Sequence, residues 1–150
     1  MRTSWLFGFA GQNFVKTMLR LGRERDSIKV VQDQVVCPTW TGHLARAVAV
    51  LVERSGTRDG AMARGTFHYC GHGMTNWYEF ARTIIEEGTA RGPTRPVPGL
   101  PTSTAEYPTA AARPRYSVLD CSRITAEHGI EPTPWREGLV AVLDRLCGQA

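Results

Sequence analysis

Between Gln12 and Glu24 the apolar side chains stand at Phe14, Val15, Met18, Leu19 and Leu21, the spacing of a helix with one buried face. Before it, Arg2 to Phe7 reads as a short strand that ends at Gly8. Ser27 to Val31 reads as a second strand, followed by a turn at Asp33-Gln34 and an extended run Val35 to Cys37 that Pro38 interrupts. Leu44, Ala45, Val48, Leu51 and Val52 predict a helix from Thr41 to about Arg54. Ser55 to Arg64 is a polar, glycine-containing loop, and the β-branched and aromatic run Thr66 to Cys70 predicts a strand.

Thr75 or Asn76 caps the next helix, and Asn76 with Glu79 has the spacing of a capping box. That helix runs through Trp77, Phe80, Ala81, Ile84 and Ile85 and stops at Gly88. From Thr89 to Pro114 the pattern breaks down, because six of the nine prolines fall there, a density no long regular element survives. Thr102 to Glu106 has room for one helical turn. A short strand at Ser117 to Leu119, a helix from Ser122 to His128 and a last helix from Pro134 to Leu146 complete the chain. Short strands alternating with helices predict an α/β class with crossover connections. Three or four strands are few, and such a sheet leaves a long edge unpaired.

Composition narrows the function classes. With 42% hydrophobic and 21% charged residues in 150, the chain is globular and of single-domain size. The net charge of +4 is almost all arginine, since Lys16 and Lys29 are the only lysines, and acidic residues interleave with the arginines. That scatter argues against nucleic acid as a partner and suits anionic ligands such as phosphates. Cys37, Cys70, Cys121 and Cys147 form no C-x-x-C pair, so they read as buried or half-buried thiols in a reducing compartment. No apolar run reaches the ~20 residues of a membrane span. The first 23 residues lack acidic side chains, as a transit peptide would, but they begin strand-like with one serine; cytoplasm is the default expectation.

Candidate chemistry is sparse. Gly71-His72-Gly73-Met74-Thr75-Asn76 sits where a dinucleotide-binding glycine loop would, between a strand and a helix. Asn76 replaces the third glycine and no acidic residue follows at the right distance, so a strand-to-helix turn is the better reading. Of the four tyrosines, none has lysine four residues on; Tyr78 with Arg82 comes nearest and reads as an exposed helix pair. His68 and His72 straddle a strand end and do not share a helix face, a poor arrangement for zinc. Lys16, Arg20 and Arg23 do share a face, either as solvated surface or as help for a diphosphate.

Ordered blocks carry a resemblance. They are Arg2-Thr3-Ser4-Trp5-Leu6-Phe7-Gly8 with Asn13-Phe14-Val15-Lys16-Thr17-Met18, then Val30-Val31-Gln32-Asp33-Gln34 with Cys37-Pro38-Thr39. Phe67-His68-Tyr69-Cys70-Gly71 follows with Thr75-Asn76-Trp77-Tyr78-Glu79-Phe80-Ala81, then Thr104-Ala105-Glu106-Tyr107-Pro108-Thr109, Arg113-Pro114, Tyr116-Ser117-Val118-Leu119-Asp120 and Trp135-Arg136-Glu137. In order and spacing they resemble the dTDP-4-dehydrorhamnose reductases, a branch of the extended short-chain dehydrogenases. Val36, Trp40, His43 and Ala112 depart from that pattern.

The resemblance implies an incomplete Rossmann-like parallel sheet with a small C-terminal α/β substrate-binding subdomain. Residues 1–88 would supply the end of the sheet and substrate-binding elements, 89–117 a proline-rich loop and 118–150 the C-terminal helices. It implies substrate contacts at Trp5, Asn13, Phe14, Pro38, Thr39 and Arg113. Trp5 would lay its indole on a deoxysugar, the other reading being a core tryptophan; Arg113 would pair with the diphosphate, the other reading being a surface arginine. Family members use NADPH, with Mg2+ a further possibility, to reduce dTDP-4-dehydro-6-deoxy-L-mannose to dTDP-L-rhamnose. This chain contains neither the glycine fingerprint nor a Tyr-x-x-x-Lys pair. The expectation is therefore a partial chain, inactive alone, that binds a dTDP-sugar, with no catalytic or cofactor residue of its own. A homodimer or a separate N-terminal half would be its protein partner. The alternative is a non-catalytic nucleotide-sugar-binding or regulatory module.

Overall fold

Asn13 sets the first helix: its side chain accepts from the Lys16 N–H at 3.3 Å and donates to the Gly8 carbonyl at 2.7 Å. The computed structural model describes residues 1–55, 65–92, 94–107, 109 and 111–148. The predicted polar loop at 55–64 lies almost wholly outside them. In chain order the elements are β1 (Leu6–Phe7), α1 (Phe14–Glu24), β2 (Ile28–Val31), β3 (Val35–Val36), β4 (Thr39–Trp40) and α2 (Thr41–Ser55). They continue with β5 (Thr75–Asn76), α3 (Trp77–Ala90), β6 (Gly99–Thr102), α4 (Ser122–His128) and α5 (Trp135–Leu146).

The class is α/β, as expected, but the strands form three separate ladders of two. β1 pairs with β4 and β2 with β6, both parallel, while β3 pairs with β5 antiparallel. Three expected strands shrink. Arg2 to Phe7 keeps only β1 and a bridge from Arg2 to His68, Thr66 to Cys70 keeps only that bridge, and Ser117 to Leu119 gives way to a bridge between Val35 and Tyr116. The proline-rich stretch, read as irregular, contains β6. Pro101 sits there with its missing N–H on the exposed edge, where proline costs no ladder bond. The Ile28 N–H donates to the Pro98 carbonyl and the Gln32 N–H to the Thr102 carbonyl, at 3.2 and 2.9 Å.

Asn76 caps α3 by accepting from the Glu79 N–H at 2.8 Å, and the helix continues through Gly88 to Ala90. Glu79 does not reach back to complete a capping box; it takes Arg82 at 2.6 Å instead. Tyr78, read as an exposed partner of Arg82, is half-buried and packs toward Gly99.

Phe7, Val15, Met18, Leu19, Ile28, Val30, Phe80, Ile84, Leu139, Val142 and Leu143 form the main core. A second cluster joins Ala47, Phe67, Tyr69, Ile124 and Ile130. Burying one such large side chain contributes about 1.5–3 kcal/mol, against about 0–1 kcal/mol for an exposed pair such as Arg20 with Glu24. The apolar clusters therefore hold the fold. Among the described residues no helix is long and apolar enough to cross a membrane.

Candidate functional site

The floor of one cleft is β2, whose four residues Ile28 to Val31 all line it. One wall is α1, which turns Phe14, Thr17, Met18 and Leu21 toward the opening because the same three-and-four spacing that buries Val15 and Leu19 sets these on the adjoining stripe. Trp5 and Trp77 close one end, and Tyr107, Thr109, Arg113, Pro114 and Ser117 form the opposite wall. The cavity has a volume of about 660 Å³, within the range of small-ligand sites.

Aromatic packing shapes the closed end. Phe14 meets Trp77 with ring centroids 4.4 Å apart, and Trp77 stands edge-on to Trp5. Trp5 has φ = 55°, the only described non-glycine residue in the left-handed region. A bulky side chain is rare there, and three contacts hold it. Its carbonyl accepts from the Thr39 N–H at 3.1 Å, its indole N–H donates to the Ser117 hydroxyl at 2.8 Å, and its ring abuts Trp77. Backbone strain of this kind, about 1–3 kcal/mol, gathers at ligand sites.

Behind the aromatic end runs a polar chain. The Trp77 indole N–H donates to Gln34 Oε1 at 3.2 Å, Gln34 Nε2 donates to Thr104 Oγ1 at 3.0 Å, and Thr104 Oγ1 donates to Asp33 Oδ1 at 2.7 Å. The Thr104 backbone N–H also donates to Asp33, at 2.9 Å. Hydrogen bonding from the Thr104 hydroxyl, with help from Arg115, holds the Asp33 carboxyl below its ordinary range. This chain joins the Asp33-Gln34 turn to the turn at Thr104.

Of the six residues singled out for substrate contact, the cavity gathers Trp5, Phe14 and Arg113. Asn13 is the cap of α1. Thr39 is fully buried and accepts from the Gly71 N–H at 3.1 Å; Pro38 is buried beside it. Trp77, Gln34, Tyr107, Lys29 and Ser117 line the cavity without having been singled out. For all but Lys29 the signal lay in the same sequence blocks, but Trp77 stands on a core helix face and hid there. Of the α1 cations, Lys16 donates to the Gly11 carbonyl at 2.9 Å and Arg20 pairs with Glu24 at 2.7 Å.

The glycines at 71 and 73 serve packing and chain reversal. A β-carbon on Gly71 would overlap the Pro38 carbonyl, and Gly73 has φ = 93°. His72 bridges to Pro134, its N–H donating to the Thr133 carbonyl at 2.9 Å. The His72 N–H and the Asn76 side chain are thus committed to the fold, although the turn also lines a cavity with Glu79, Trp135 and Arg136. Among the described residues no group of three His, Cys, Asp or Glu side chains could hold a metal ion.

Residues 1–147 match the family described as RmlD substrate binding domain. The dTDP-4-dehydrorhamnose reductase of Aggregatibacter actinomycetemcomitans is 40% identical over 140 residues, covering 93% of this chain and 47% of that protein. A crystal structure of a dTDP-4-dehydrorhamnose reductase from Clostridium acetobutylicum superposes with a TM-score of 0.84 at 39% identity, over 97% of this chain and 47% of that one. Another, from Bacillus anthracis in complex with NADP, gives 0.82 at 38% identity, over 96% and 47%. The chain thus spans about half the length of the relatives it matches.

Proposed function

This chain belongs to the RmlD substrate binding domain family, and on that premise we propose that it forms the nucleotide-sugar-binding part of a dTDP-4-dehydrorhamnose reductase. The observation that carries the reading is Trp5, held in a left-handed backbone conformation with its indole at the cavity's closed end. The flat faces of Trp5, Trp77 and Phe14 suit the apolar face of a deoxysugar or a thymine ring. Arg113 on the far wall suits the diphosphate.

The reaction of the whole enzyme is the NADPH-dependent reduction of dTDP-4-dehydro-6-deoxy-L-mannose to dTDP-L-rhamnose, with a nicotinamide supplying the hydride. A Tyr-x-x-x-Lys pair is absent from the sequence, and Asn76 stands where the Gly71-His72-Gly73 turn would need a third glycine. The part of this chain is therefore to bind and orient the nucleotide-sugar. Titrating the 150-residue protein with dTDP-L-rhamnose while following tryptophan emission should give a saturable change. NADPH oxidation with the 4-dehydro sugar should stay at background. A folded chain that shows no binding, or one that turns over by itself, would overturn the proposal.

A further inference from the structure

Three cysteines far apart in sequence meet in the fold. Cys70 Sγ and Cys121 Sγ lie 3.7 Å apart. Both thiols point at one acceptor, the Leu119 carbonyl, at 3.6 and 3.7 Å. The Cys37 thiol also hydrogen-bonds with Cys70. Cys37 and Cys70 are buried, whereas Cys121 is partly open to solvent. Cys121 also stands at a structural joint, since it precedes α4 and ends the run that carries Arg113 and Ser117. Cys70 belongs to the Phe67–Cys70 run, which is bonded to the N-terminal stretch. The Arg2 N–H donates to the Phe67 carbonyl and the Tyr69 N–H to the Arg2 carbonyl, at 2.7 and 2.9 Å.

We propose that Cys70 and Cys121 are a reversible dithiol–disulfide pair, a modification site at which a low-molecular-weight disulfide such as oxidised glutathione is the oxidant. A disulfide places its sulfurs about 2.05 Å apart, so these two sulfurs, 3.7 Å apart, have roughly 1.6 Å to close. The half-buried Cys121, as thiolate, attacks one sulfur of oxidised glutathione; that S–S bond breaks and one glutathione thiolate leaves. Cys70, as thiolate, then attacks the Cys121 sulfur and expels the second glutathione thiolate. Two protein thiols are oxidised to one disulfide, one oxidised glutathione is reduced to two thiols, and the two protons end on them. Contact with Cys70, followed by burial, keeps the Cys121 thiol above its ordinary range, so exchange is slow at neutral pH. The bond would tie the run that carries Ser117 to the Phe67–Cys70 run, which is hydrogen-bonded to the N-terminal stretch that bears Trp5.

The test incubates the native full chain, carrying Cys147→Ser to remove the fourth thiol, with oxidised glutathione at mildly alkaline pH. Alkylation and peptide mapping then locate the bond. The expected product has lost two hydrogens, links Cys70 to Cys121 and leaves Cys37 open to alkylation. Cys37→Ala should still close the bond, Cys121→Ser should not, and circular dichroism checks that each variant is folded. Amide exchange across residues 113–121 should slow on oxidation and recover with a reducing dithiol. A mixed disulfide stalled at Cys121, a bond between Cys37 and Cys70, or an unreacted folded protein would each overturn the proposal.

Discussion

The indole N–H of Trp5 donates to the hydroxyl of Ser117 at 2.8 Å across 112 residues of sequence, and the Ser117 hydroxyl donates onward to the Val35 carbonyl at 3.3 Å. One serine thus ties the strained tryptophan to the far wall of the cavity. Ser117→Ala should lower stability by about 1 kcal/mol, a melting shift of roughly 2–4 °C for a chain of this size. Trp5→Phe removes the same bond from the other end. The double variant should cost clearly less than the sum of the singles; thermal melts that add would show that the two residues do not interact.

Gly71 faces a harder limit. A β-carbon there would overlap the Pro38 carbonyl, which is backbone and cannot swing away, and the Gly71 N–H is already committed to Thr39. At Gly138 the obstacle is the Cβ of Trp40, 2.5 Å from an added β-carbon. Overpacking costs about 1–3 kcal/mol and occasionally more. Gly71→Ala should reach or pass the top of that range, and Gly138→Ala should fall inside it. Urea midpoints order the two; a Gly71→Ala protein as stable as the parent would refute the packing argument.

Helices were the legible part of this sequence because their periodicity is local: α1, α2, α4 and α5 lie within two residues of their expected bounds. Strand pairing is decided elsewhere in the chain, and there the reading slipped. Thr66 to Cys70 has strand composition yet pairs only through His68, whereas β6 forms across Pro101 because Ile28 to Val31 offers it a partner. Thr75 and Asn76 read as caps, and Asn76 is one, but both also pair with β3. In the site, the tryptophan of the first block could be picked out by type. Trp77 could not, because a helix position beside Phe80 looks like core until the neighbouring wall is in place.

Acid should weaken the fold in two separate windows. Burial first, then the charge of Arg46, hold the His43 imidazole below its ordinary value, with Glu137 opposing. The folded state therefore binds fewer protons than the unfolded chain, whose histidine titrates near about 6.5. Its contribution is complete above that value and is lost as pH falls through the lower folded-state pKa. Asp33, Glu106 and Asp120 are also held low, by hydrogen bonds above all, and act only below the usual carboxylate range. Urea stability should decline from about pH 7 toward pH 5 and then fall again in stronger acid. His43→Gln should flatten the first decline alone; an unchanged slope in that variant would remove His43 as its cause.

Arg113 decides whether the cavity reads a diphosphate. It is exposed on the far wall, and among the described residues no acidic side chain pairs with it. Two outcomes are separable by size. A rim charge in water contributes about 0–1 kcal/mol, which is less than about fivefold in affinity. A guanidinium fork on a phosphate oxygen pair contributes about 1.5–3 kcal/mol, which is roughly tenfold to a hundredfold. Arg113→Ala should therefore weaken dTDP-L-rhamnose binding by at least about tenfold and reduce its salt dependence. Arg113→Lys should recover only part of the loss, because a point charge replaces the fork. Titration of the three proteins at low and high salt makes the measurement, with free L-rhamnose as the ligand that lacks phosphates. A loss under about fivefold, or equal binding by the lysine variant, would leave Arg113 as solvated surface and move the diphosphate to Lys29 on the cavity floor.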